Sequence, residues 1–364
     1  MSDTTRAFLL GPLLKGVSRS FYLTMRVLPA GMRDPVGLAY LLARAADTIA
    51  DTTLVSPTRR LALLMAFRDE ILGETPADAP LEPVAGQGAS RDQLLRQLQA
   101  EVGSGEIQSD ERTLLESLGP ALDVLQQLSS PDRQAVREIL ATLTSGMEFD
   151  LRTFPDENAG EIVALREAEA LDRYTYLVAG CVGEFWTTMT YAHQPGTLRE
   201  APEVMLARGV RFGKALQMTN VLRDCGKDLR IGRCYLPLEL LTPLGLTPQD
   251  LLGPDASRRA RPLLDALLRK TLDHYREALA YTLAIPRGAV RLRLACLWPI
   301  FIGLETLVLL ARNPAWLEPR QASKVQRNDV YRMLVYSLTT VSWDGRIRNW
   351  AERLIAQIEA SLRH

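Results

Sequence analysis

Apolar and polar positions follow the helical period over most of the chain. Long segments rich in Leu, Ala, Arg and Glu place apolar residues three and four positions apart, which is the spacing of one face of an α-helix. Alternating β-branched runs are nearly absent, so strands are not expected. The pattern predicts helices over residues 35–52, 57–72, 91–101, 111–128, 131–153, 161–191, 201–226, 256–284, 289–311, 327–341 and 343–362. We therefore expect an all-α protein.

Domain organisation follows from what interrupts this pattern. Residues 73–90, GETPADAPLEPVAGQGAS, contain three prolines, three glycines and little apolar content, which predicts a surface loop between helices. A length of 364 residues by itself suggests about two domains. No repeat of solenoid period is evident, and the loop does not resemble a hinge. The pattern therefore favours one compact all-α domain over residues 1–364.

The longest apolar stretch, residues 294–311, approaches the length of a membrane span. It contains Pro299, Gly303 and Glu305, and a carboxylate is costly inside a bilayer, so a buried core helix is the favoured interpretation. The N-terminus lacks the basic region and the small-residue cleavage site that a signal peptide carries. We expect a cytoplasmic protein with at most weak peripheral membrane contact. The sequence leaves its oligomeric state open.

Composition narrows the chemistry. The chain has 43 basic and 43 acidic side chains, and this zero formal charge argues against nucleic acid as a partner. Four cysteines and three histidines, all scattered, disfavour a Cys-rich zinc site, histidine-based metal chemistry and a Ser-His-Asp triad. If the chain binds a metal, carboxylates must be the ligands, which points to a hard cation.

The first candidate site is RAADTIAD, residues 44–51. Asp47 and Asp51 are four residues apart and therefore share one helix face, with Cβ atoms about 6 Å apart. The helix before them is strongly apolar. Two like charges on that face repel each other unless a cation lies between them. Arg44, about one turn earlier, is placed to meet an anion that accompanies such a cation.

The second candidate site, NVLRDCGKD at residues 220–228, repeats this arrangement. Arg223 precedes the first of two aspartates that are again four residues apart. A polar stripe runs along this otherwise apolar helix, and such a stripe is costly unless it faces a partner or a cavity. The stripe consists of Gln217, Asn220, Asp224 and Asp228.

A single pair of this kind is commonly a solvated helix face. Two copies, each beside an arginine and each in an apolar helix, favour a diphosphate bridged by Mg²⁺, because Mg²⁺ prefers a few carboxylates together with phosphate oxygens and water. The arginines would neutralise charge as diphosphate leaves. We expect the two pairs to face each other across a cavity, with the diphosphates at its mouth.

Several ordered blocks carry a family resemblance. SRSF (residues 18–21), Tyr40 followed by RAADTIAD, YTYLVAGCVG (174–183), QMTNVLRDCGKD (217–228) and GRCYLP (232–237) together resemble the squalene/phytoene synthases over about residues 14–340. The resemblance implies an all-α, single-domain isoprenoid-synthase helical bundle around a central hydrophobic cavity. It also implies Mg²⁺-dependent head-to-head (1′-1) condensation of two prenyl diphosphates.

Carried over by position, the resemblance assigns roles to individual residues. The small residues of the VAG-x-VG segment are interpreted as part of a tunnel for a prenyl tail, although close packing of another helix explains them equally well. The basic pair in SKVQR is a weaker match, and a solvated basic face is an equal alternative. The metal ligands would be Asp47, Asp51, Asp224 and Asp228; the catalytic residues Tyr174, Arg44 and Arg223; and the substrate-binding residues Ser18, Ser20, Phe21, Tyr40, Val178, Gly183, Gln217, Asn220, Lys324 and Arg327.

Within the family, Asp47-Thr48 is similar to squalene synthases, whereas phytoene and dehydrosqualene synthases usually have Asp-Asp there. Residues 285–300, IPRGAVRLRLACLWPI, are also similar to bacterial squalene synthases. Ala50 and Thr52 stand where squalene synthases commonly carry acidic residues, so the first metal site is less acidic than usual. The resemblance implies farnesyl diphosphate as substrate, squalene as product and NADPH as reductant. A dehydrosqualene or phytoene synthase, which needs no reductant, and a non-enzymatic helical scaffold remain the alternatives.

Overall fold

A computed structural model of the chain describes residues 3–18, 21–73, 91–103, 109–321 and 323–362. These residues are almost entirely helical, which confirms the predicted fold class. Most of the predicted surface loop, from residue 74 to residue 90, lies outside the described residues, as do Ser20 and the side chain of Phe21. The described residues belong to two compact units, 1–152 and 153–364. That the chain works as one domain around a central cavity stays a prediction.

The first unit is all-helical. A π-helical turn, Leu9–Leu13, joins its first two helices. Its helices are α1 (Asp3–Phe8), α2 (Leu14–Ser18), α3 (Phe21–Arg26), α4 (Ala30–Asp51), α5 (Pro57–Leu72), α6 (Arg91–Glu101), α7 (Ser109–Glu116), α8 (Leu118–Gln127) and α9 (Ser130–Thr153).

Helix α4 lies at the centre of this unit and packs against α5, α7 and α8. Leu38, Leu41, Leu42 and Ala45 follow the three-and-four spacing of one helix face, and all four are fully buried. This apolar stretch fixes the position of the helix in the unit. Its last turn, which ends at Asp51, carries the first aspartate pair.

The predicted helix boundaries hold best where a cap is local. Helix α5 begins at Pro57 and is capped by the residue before it. The Ser56 side chain accepts a 3.3 Å hydrogen bond from the Arg59 amide, as an N-cap residue does. The prediction of one continuous helix over residues 111–128 was wrong. The segment forms two helices, α7 and α8, which are separated at Ser117. Pro120 has no N–H for the bond that would continue the first helix.

The second unit contains the remaining helices and two short strands. A π-helical turn, Tyr176–Gly180, links α10 to α11, and 3₁₀ turns lie at Leu229–Ile231, Thr242–Leu244, Gln249–Leu252 and Pro319–Gln321. Its elements are β1 (Val163–Ala164), α10 (Ala168–Thr175), α11 (Cys181–His193), α12 (Pro202–Asp228), β2 (Arg233–Cys234), α13 (Leu238–Leu241), α14 (Ala256–Arg259), α15 (Arg261–Ala284), α16 (Val290–Arg312), α17 (Arg327–Thr340) and α18 (Asp344–Ser361).

Helix α12 lies at the centre of the second unit and packs against α11, α15 and α16. Glycines allow its close approach to the α10–α11 segment. A Cβ atom on Gly213 would lie 1.9 Å from the Ala179 carbonyl oxygen, and one on Gly183 would lie 1.8 Å from the Gly209 carbonyl oxygen. The backbones touch at these positions, so the register of α12 against its neighbours is fixed.

The predicted helix 161–191 was wrong at its start. Residues 163–164 form β1, which pairs in parallel with β2, Val163 opposite Arg233 and Ala164 opposite Cys234. Gly232, with φ +83°, reverses the chain between α12 and β2, in a conformation that side-chain-bearing residues rarely adopt. The strand pair therefore ties the end of α12 to the segment before α10.

Helix α16 contains the long apolar stretch. Within the described ranges it is the one helix long and apolar enough to cross a membrane, and 78% of its most apolar window is buried inside the protein. Pro299 lies inside this helix. This burial agrees with the predicted core helix, and the cytoplasmic location stays a prediction.

Candidate active site

The first aspartate pair lines a pocket of about 530 Å³ at the end of α4. Asp47 keeps a side chain that is 40% exposed, so it is accessible from the pocket. Threonine side chains form much of the remaining wall. The lining residues are Arg44, Asp47, Thr48, Asp51, Thr52, Thr53, Leu54 and Glu111.

Arg44 is held by two carboxylates in this pocket. Its Nη1 donates to Asp47 Oδ2, and its Nη2 donates to Glu111 Oε1 on α7. The Glu111 side chain is only 16% exposed, so this ion pair is largely shielded from water. Within the described part of the chain, Arg44 Nε is buried without a hydrogen-bond partner. The guanidinium therefore has one N–H donor, at Nε, that is buried and unpaired.

The pKa of Asp47 is raised in this pocket. Loss of hydration on burial and then the nearby Asp51 carboxylate raise the pKa of Asp47 to about 6, although Arg44 opposes the shift. A cation close to both carboxylates would remove this penalty. The arrangement suits a hard cation with oxygen ligands.

The second aspartate pair lies in the last two turns of α12. Arg223 grips Asp224 with two hydrogen bonds, Nε to Oδ1 at 3.2 Å and Nη2 to Oδ2. Lys227 Nζ lies 3.7 Å from Asp224 Oδ1. The predicted polar stripe also forms in part, because Asn220 Nδ2 donates to Gln217 Oε1 at 3.3 Å. All these contacts lie within one helix.

In this second pair, Asp228 is the carboxyl group whose pKa is raised. Burial and then the Asp224 carboxylate raise its pKa to about 7, and nearby Arg233, Lys227 and Arg223 only partly offset the shift. Arg233 comes from β2 and pairs with Glu157 at 3.3 Å. Burial and the like charge of Asp224 therefore both disfavour the ionised form of Asp228.

Tyr174 lies in an aromatic cluster of the second unit. Its ring stacks on Tyr235 with centroids 4.7 Å apart, and the two hydroxyl oxygens are 3.3 Å apart. Phe154 meets Tyr235 edge-on at 4.9 Å. Tyr174 is 6% exposed, so its ring faces an aromatic interior. Such ring faces attract cations.

The other predicted residues are placed as follows. Ser18 is buried, and its hydroxyl donates to the Leu14 carbonyl oxygen at 2.5 Å. Tyr40 is half-buried one turn before Arg44 on α4, and Val178 is half-buried in the π-helical turn. The backbone contact of Gly183 with α12 supports the packing alternative for that glycine. The roles assigned to these residues stay predictions.

Lys324 and Arg327 are exposed, just before α17 and at its first residue. Together they line a surface pocket of about 350 Å³ with Gln326 and Asn328. The role in diphosphate binding that the sequence suggests for these two residues remains to be tested.

Three residues that contact the site were not predicted. Glu111 lies in the first turn of α7, SDERTLLE, and this turn has the composition of an ordinary helix start. Arg233 and Tyr235 lie inside the quoted block GRCYLP, but their contacts depend on the β1–β2 pairing. Only that block gave a signal for them, and none pointed to Glu111.

The described residues are almost wholly helical and carry two Asp-x-x-x-Asp pairs, each beside an arginine. The squalene/phytoene synthase family model matches residues 14–329. The chain therefore belongs to the squalene/phytoene synthase family, as the ordered blocks predicted.

Individual relatives agree with this assignment. The bifunctional lycopene cyclase/phytoene synthase of Colletotrichum graminicola is 30% identical over 263 residues, 72% of this chain and 39% of that protein. The squalene synthase of Eremothecium gossypii is 25% identical over 330 residues, 90% of this chain and 67% of that protein. The chain spans less than half of the length of the bifunctional relatives that it matches.

The fold has a solved counterpart. The structure of TcSQS in complex with the ligand BPH1237 superposes with a TM-score of 0.73 at 20% identity, over 99% of this chain and 97% of that one. At this identity the likeness establishes the fold alone. It is the helical isoprenoid-synthase fold that the resemblance implied.

Proposed function

We propose that the chain is a head-to-head prenyltransferase that condenses two molecules of farnesyl diphosphate into squalene, through presqualene diphosphate. The repeated site is the observation that supports this proposal. Two carboxylate pairs each lie beside an arginine, and in each pair the pKa of one carboxyl group is raised, to about 6 for Asp47 and about 7 for Asp228. Both pairs need a cation, and both arginines offer donors to an anion. A metal-bridged diphosphate supplies both.

Magnesium fits the donor set of each pair. Carboxylate oxygens are its preferred protein ligands, and Asp47 with Asp51, and Asp224 with Asp228, would hold it. Among the described residues, no group of three or more His, Cys, Asp and Glu side chains stands close enough to hold a metal. Each pair therefore suits a cation that takes its other ligands from diphosphate and water. When bound, the cation would supply charge neutralisation for the departing diphosphate.

The arginines bind and orient the diphosphates. Arg44 lines the pocket beside Asp47, and Arg223 presents a planar fork that matches phosphate oxygens as it matches Asp224. Their hydrogen bonds strengthen as negative charge collects on the leaving diphosphate. The pairing of Arg44 with Glu111 keeps its guanidinium in the pocket.

The chemistry runs in two half-reactions. In the first, a carbon–oxygen bond of one farnesyl diphosphate breaks, the 2,3-double bond of the second captures the allylic cation, and loss of a proton closes the cyclopropane of presqualene diphosphate. In the second, the remaining diphosphate leaves, the carbon skeleton rearranges, and a hydride quenches the final cation. NADPH would be the hydride donor, a substrate to which no residue of this chain is assigned.

The aromatic cluster suits the cationic steps. The ring faces of Tyr174 and Tyr235 can stabilise a carbocation without reacting with it, and their hydroxyl groups lie within 3.3 Å of each other. A proton released near Tyr174 can pass along this pair. We propose that Tyr174 guides the proton that is lost when the cyclopropane closes.

A phytoene or dehydrosqualene synthase is the second candidate. Its support is the 30% identity with a bifunctional lycopene cyclase/phytoene synthase, which exceeds the 25% identity with a squalene synthase. Asp47-Thr48 in the first site favours squalene. The two candidates differ in whether the product forms without a reductant.

One incubation series separates these functions. The purified full chain is given farnesyl or geranylgeranyl diphosphate with Mg²⁺, with and without NADPH, and the hydrocarbon is identified by mass spectrometry. We expect squalene from farnesyl diphosphate when NADPH is present, and no hydrocarbon in the presence of EDTA. A C40 product, or a C30 product with an additional central double bond despite NADPH, would assign the second candidate. No diphosphate release from either substrate would overturn both.

A further inference from the structure

Helix α17 is anchored on one side. Met333, Ser337 and Thr340, spaced four and three residues apart, are 5%, 0% and 1% exposed. Trp298 Nε1 of α16 donates a 2.8 Å hydrogen bond to Ser337 Oγ. These contacts fix which side of α17 faces the interior of the second unit.

The opposite side of α17 is apolar as well. Tyr331, Val335 and Leu338 have the same spacing but lie two residues back, which rotates them by about 200° from the anchored side. They are 64%, 63% and 57% exposed, and Trp343, just after the helix, is 59% exposed. We call these four side chains the α17 belt.

A water-facing helix side ordinarily carries charged and polar residues. Four large apolar side chains on one exposed strip instead mark a surface that meets something apolar. Two of the four, Tyr331 and Trp343, have a ring with one polar atom, the kind of side chain that concentrates at the boundary between hydrocarbon and water. The composition of the belt therefore suits a lipid surface.

Two arginines flank the belt, and Asp329, whose Oδ1 lies 3.5 Å from Arg332 Nη1, offsets part of their charge. Arg332 is 83% exposed, and Arg346 lies over the Trp343 ring with its Cζ 4.8 Å from the ring centroid. Although the whole chain is neutral, residues 324–353 carry six basic side chains against three acidic ones, a local excess of three. The basic residues are Lys324, Arg327, Arg332, Arg346, Arg348 and Arg353, and the acidic ones are Asp329, Asp344 and Glu352.

We propose that the α17 belt is a membrane-contact surface that lies on the headgroup region of an anionic bilayer. The apolar strip enters the boundary layer, and the arginines meet lipid phosphates, which is how interfacial helices bind. A second copy of the chain fits this surface less well. In a twofold dimer formed through the belt, the arginines beside the belt of one copy would face those of the other, and like charges repel. A water-insoluble hydrocarbon product would leave through such a membrane; this last argument rests on the function proposed above.

Vesicle sedimentation tests the proposal without any substrate. The full chain is mixed with vesicles of phosphatidylcholine alone or with phosphatidylglycerol added, and the bound fraction is measured. We expect binding to the anionic vesicles, a loss on the order of tenfold in the partition coefficient for Tyr331→Ser/Val335→Ser/Leu338→Ser, and a comparable loss for Arg332→Gln/Arg346→Gln. The matched control is Val204→Ser/Leu252→Ser, which removes apolar side chains that are 43% and 47% exposed elsewhere on the same unit.

Two results would overturn the proposal. One is equal binding of wild type and belt variant, or no binding of either, with circular dichroism showing both folded. The other is a wild-type dimer in light scattering that the belt substitutions dissociate, which would assign the belt to a second copy. Turnover of farnesyl diphosphate in detergent is measured separately: vesicle binding without turnover would refute the proposed function and leave this surface standing.

Discussion

The two aspartate sites differ in how each arginine is held. At the first site, Arg44 bridges Asp47 on its own helix and Glu111 on α7, so the site depends on a tertiary contact. At the second site, Arg223 grips the adjacent Asp224 within α12. The hydrogen bonds that hold Arg223 therefore lie within one helix, whereas those that hold Arg44 need α4 and α7 to pack together.

The sites also differ in which carboxyl carries the electrostatic penalty. At the first site it is Asp47, the residue that already pairs with the arginine. At the second site it is Asp228, which is half-buried and makes no hydrogen bond with Arg223 among those described. The same spacing of two aspartates thus gives two different local solutions. In both, burial and the second carboxylate disfavour the charged form of one aspartate, and a bound cation would offset this.

The largest expected effect is the loss of a carboxylate from either pair. Asp47→Asn and Asp224→Asn should each lower kcat/KM by on the order of 10³, about 4 kcal/mol of transition-state stabilisation. Initial rates of diphosphate release over a Mg²⁺ titration measure it. Asp273→Asn, which removes a 62% exposed carboxylate from α15, is the control. Near-normal rates in either site variant would show that its pair does not take part.

The packing of the helices that carry the two sites offers a second contrast. A Cβ atom on Gly213 of α12 would lie 1.9 Å from a backbone oxygen, whereas one on Gly37 of α4 would meet only the ends of leucine side chains, at 3.2 and 3.3 Å. We expect Gly213→Ala to cost about 3 kcal/mol of unfolding free energy, as overpacking does. Gly37→Ala should stay within about 1 kcal/mol, since alanine favours the helix by a similar amount.

Denaturant unfolding of both glycine variants measures this difference. A stable Gly213→Ala protein would mean that α12 shifts freely against α10 and α11, and that the second site is not held by that contact. If Gly37→Ala destabilised the protein as much as Gly213→Ala, the two helices would not differ in how tightly they are packed at these glycines.

The sequence predicted best what is local. Helices α5 and α6 match the predicted ranges 57–72 and 91–101, because caps and apolar spacing act within a few residues. The start of the predicted helix 161–191 was wrong, since Val163 pairs with Arg233, a contact that no local pattern encodes.

The same distinction applies to the sites. The four aspartates and both arginines were predicted, because each set lies on one helix at a readable spacing. Glu111 was not, because its partner Arg44 lies on a different helix and its own segment has the composition of a solvated helix start. Ala50 and Thr52 are both buried at the end of α4, and Glu111 reaches Arg44 from α7.

The smallest expected effect concerns Glu111 itself. Glu111→Gln removes one of the two carboxylates that hold Arg44, so the guanidinium is positioned less well for diphosphate. We expect KM for the prenyl diphosphate to rise about tenfold, close to 1.4 kcal/mol, with a smaller change in kcat. Steady-state kinetics measure the split. Glu116→Gln, an exposed site on the same helix, should leave both parameters unchanged.

A double-mutant cycle then ties this effect to the comparison between sites. Glu111→Gln and Arg44→Lys should be strongly non-additive, because both act on one ion pair. Glu111→Gln and Arg223→Lys should be additive within about 0.5 kcal/mol, since Arg223 has its own partner on α12. If Glu111 instead served only to stabilise α7, Glu111→Gln would add to Arg44→Lys as it adds to Arg223→Lys, and a fall in unfolding free energy would accompany the kinetic change.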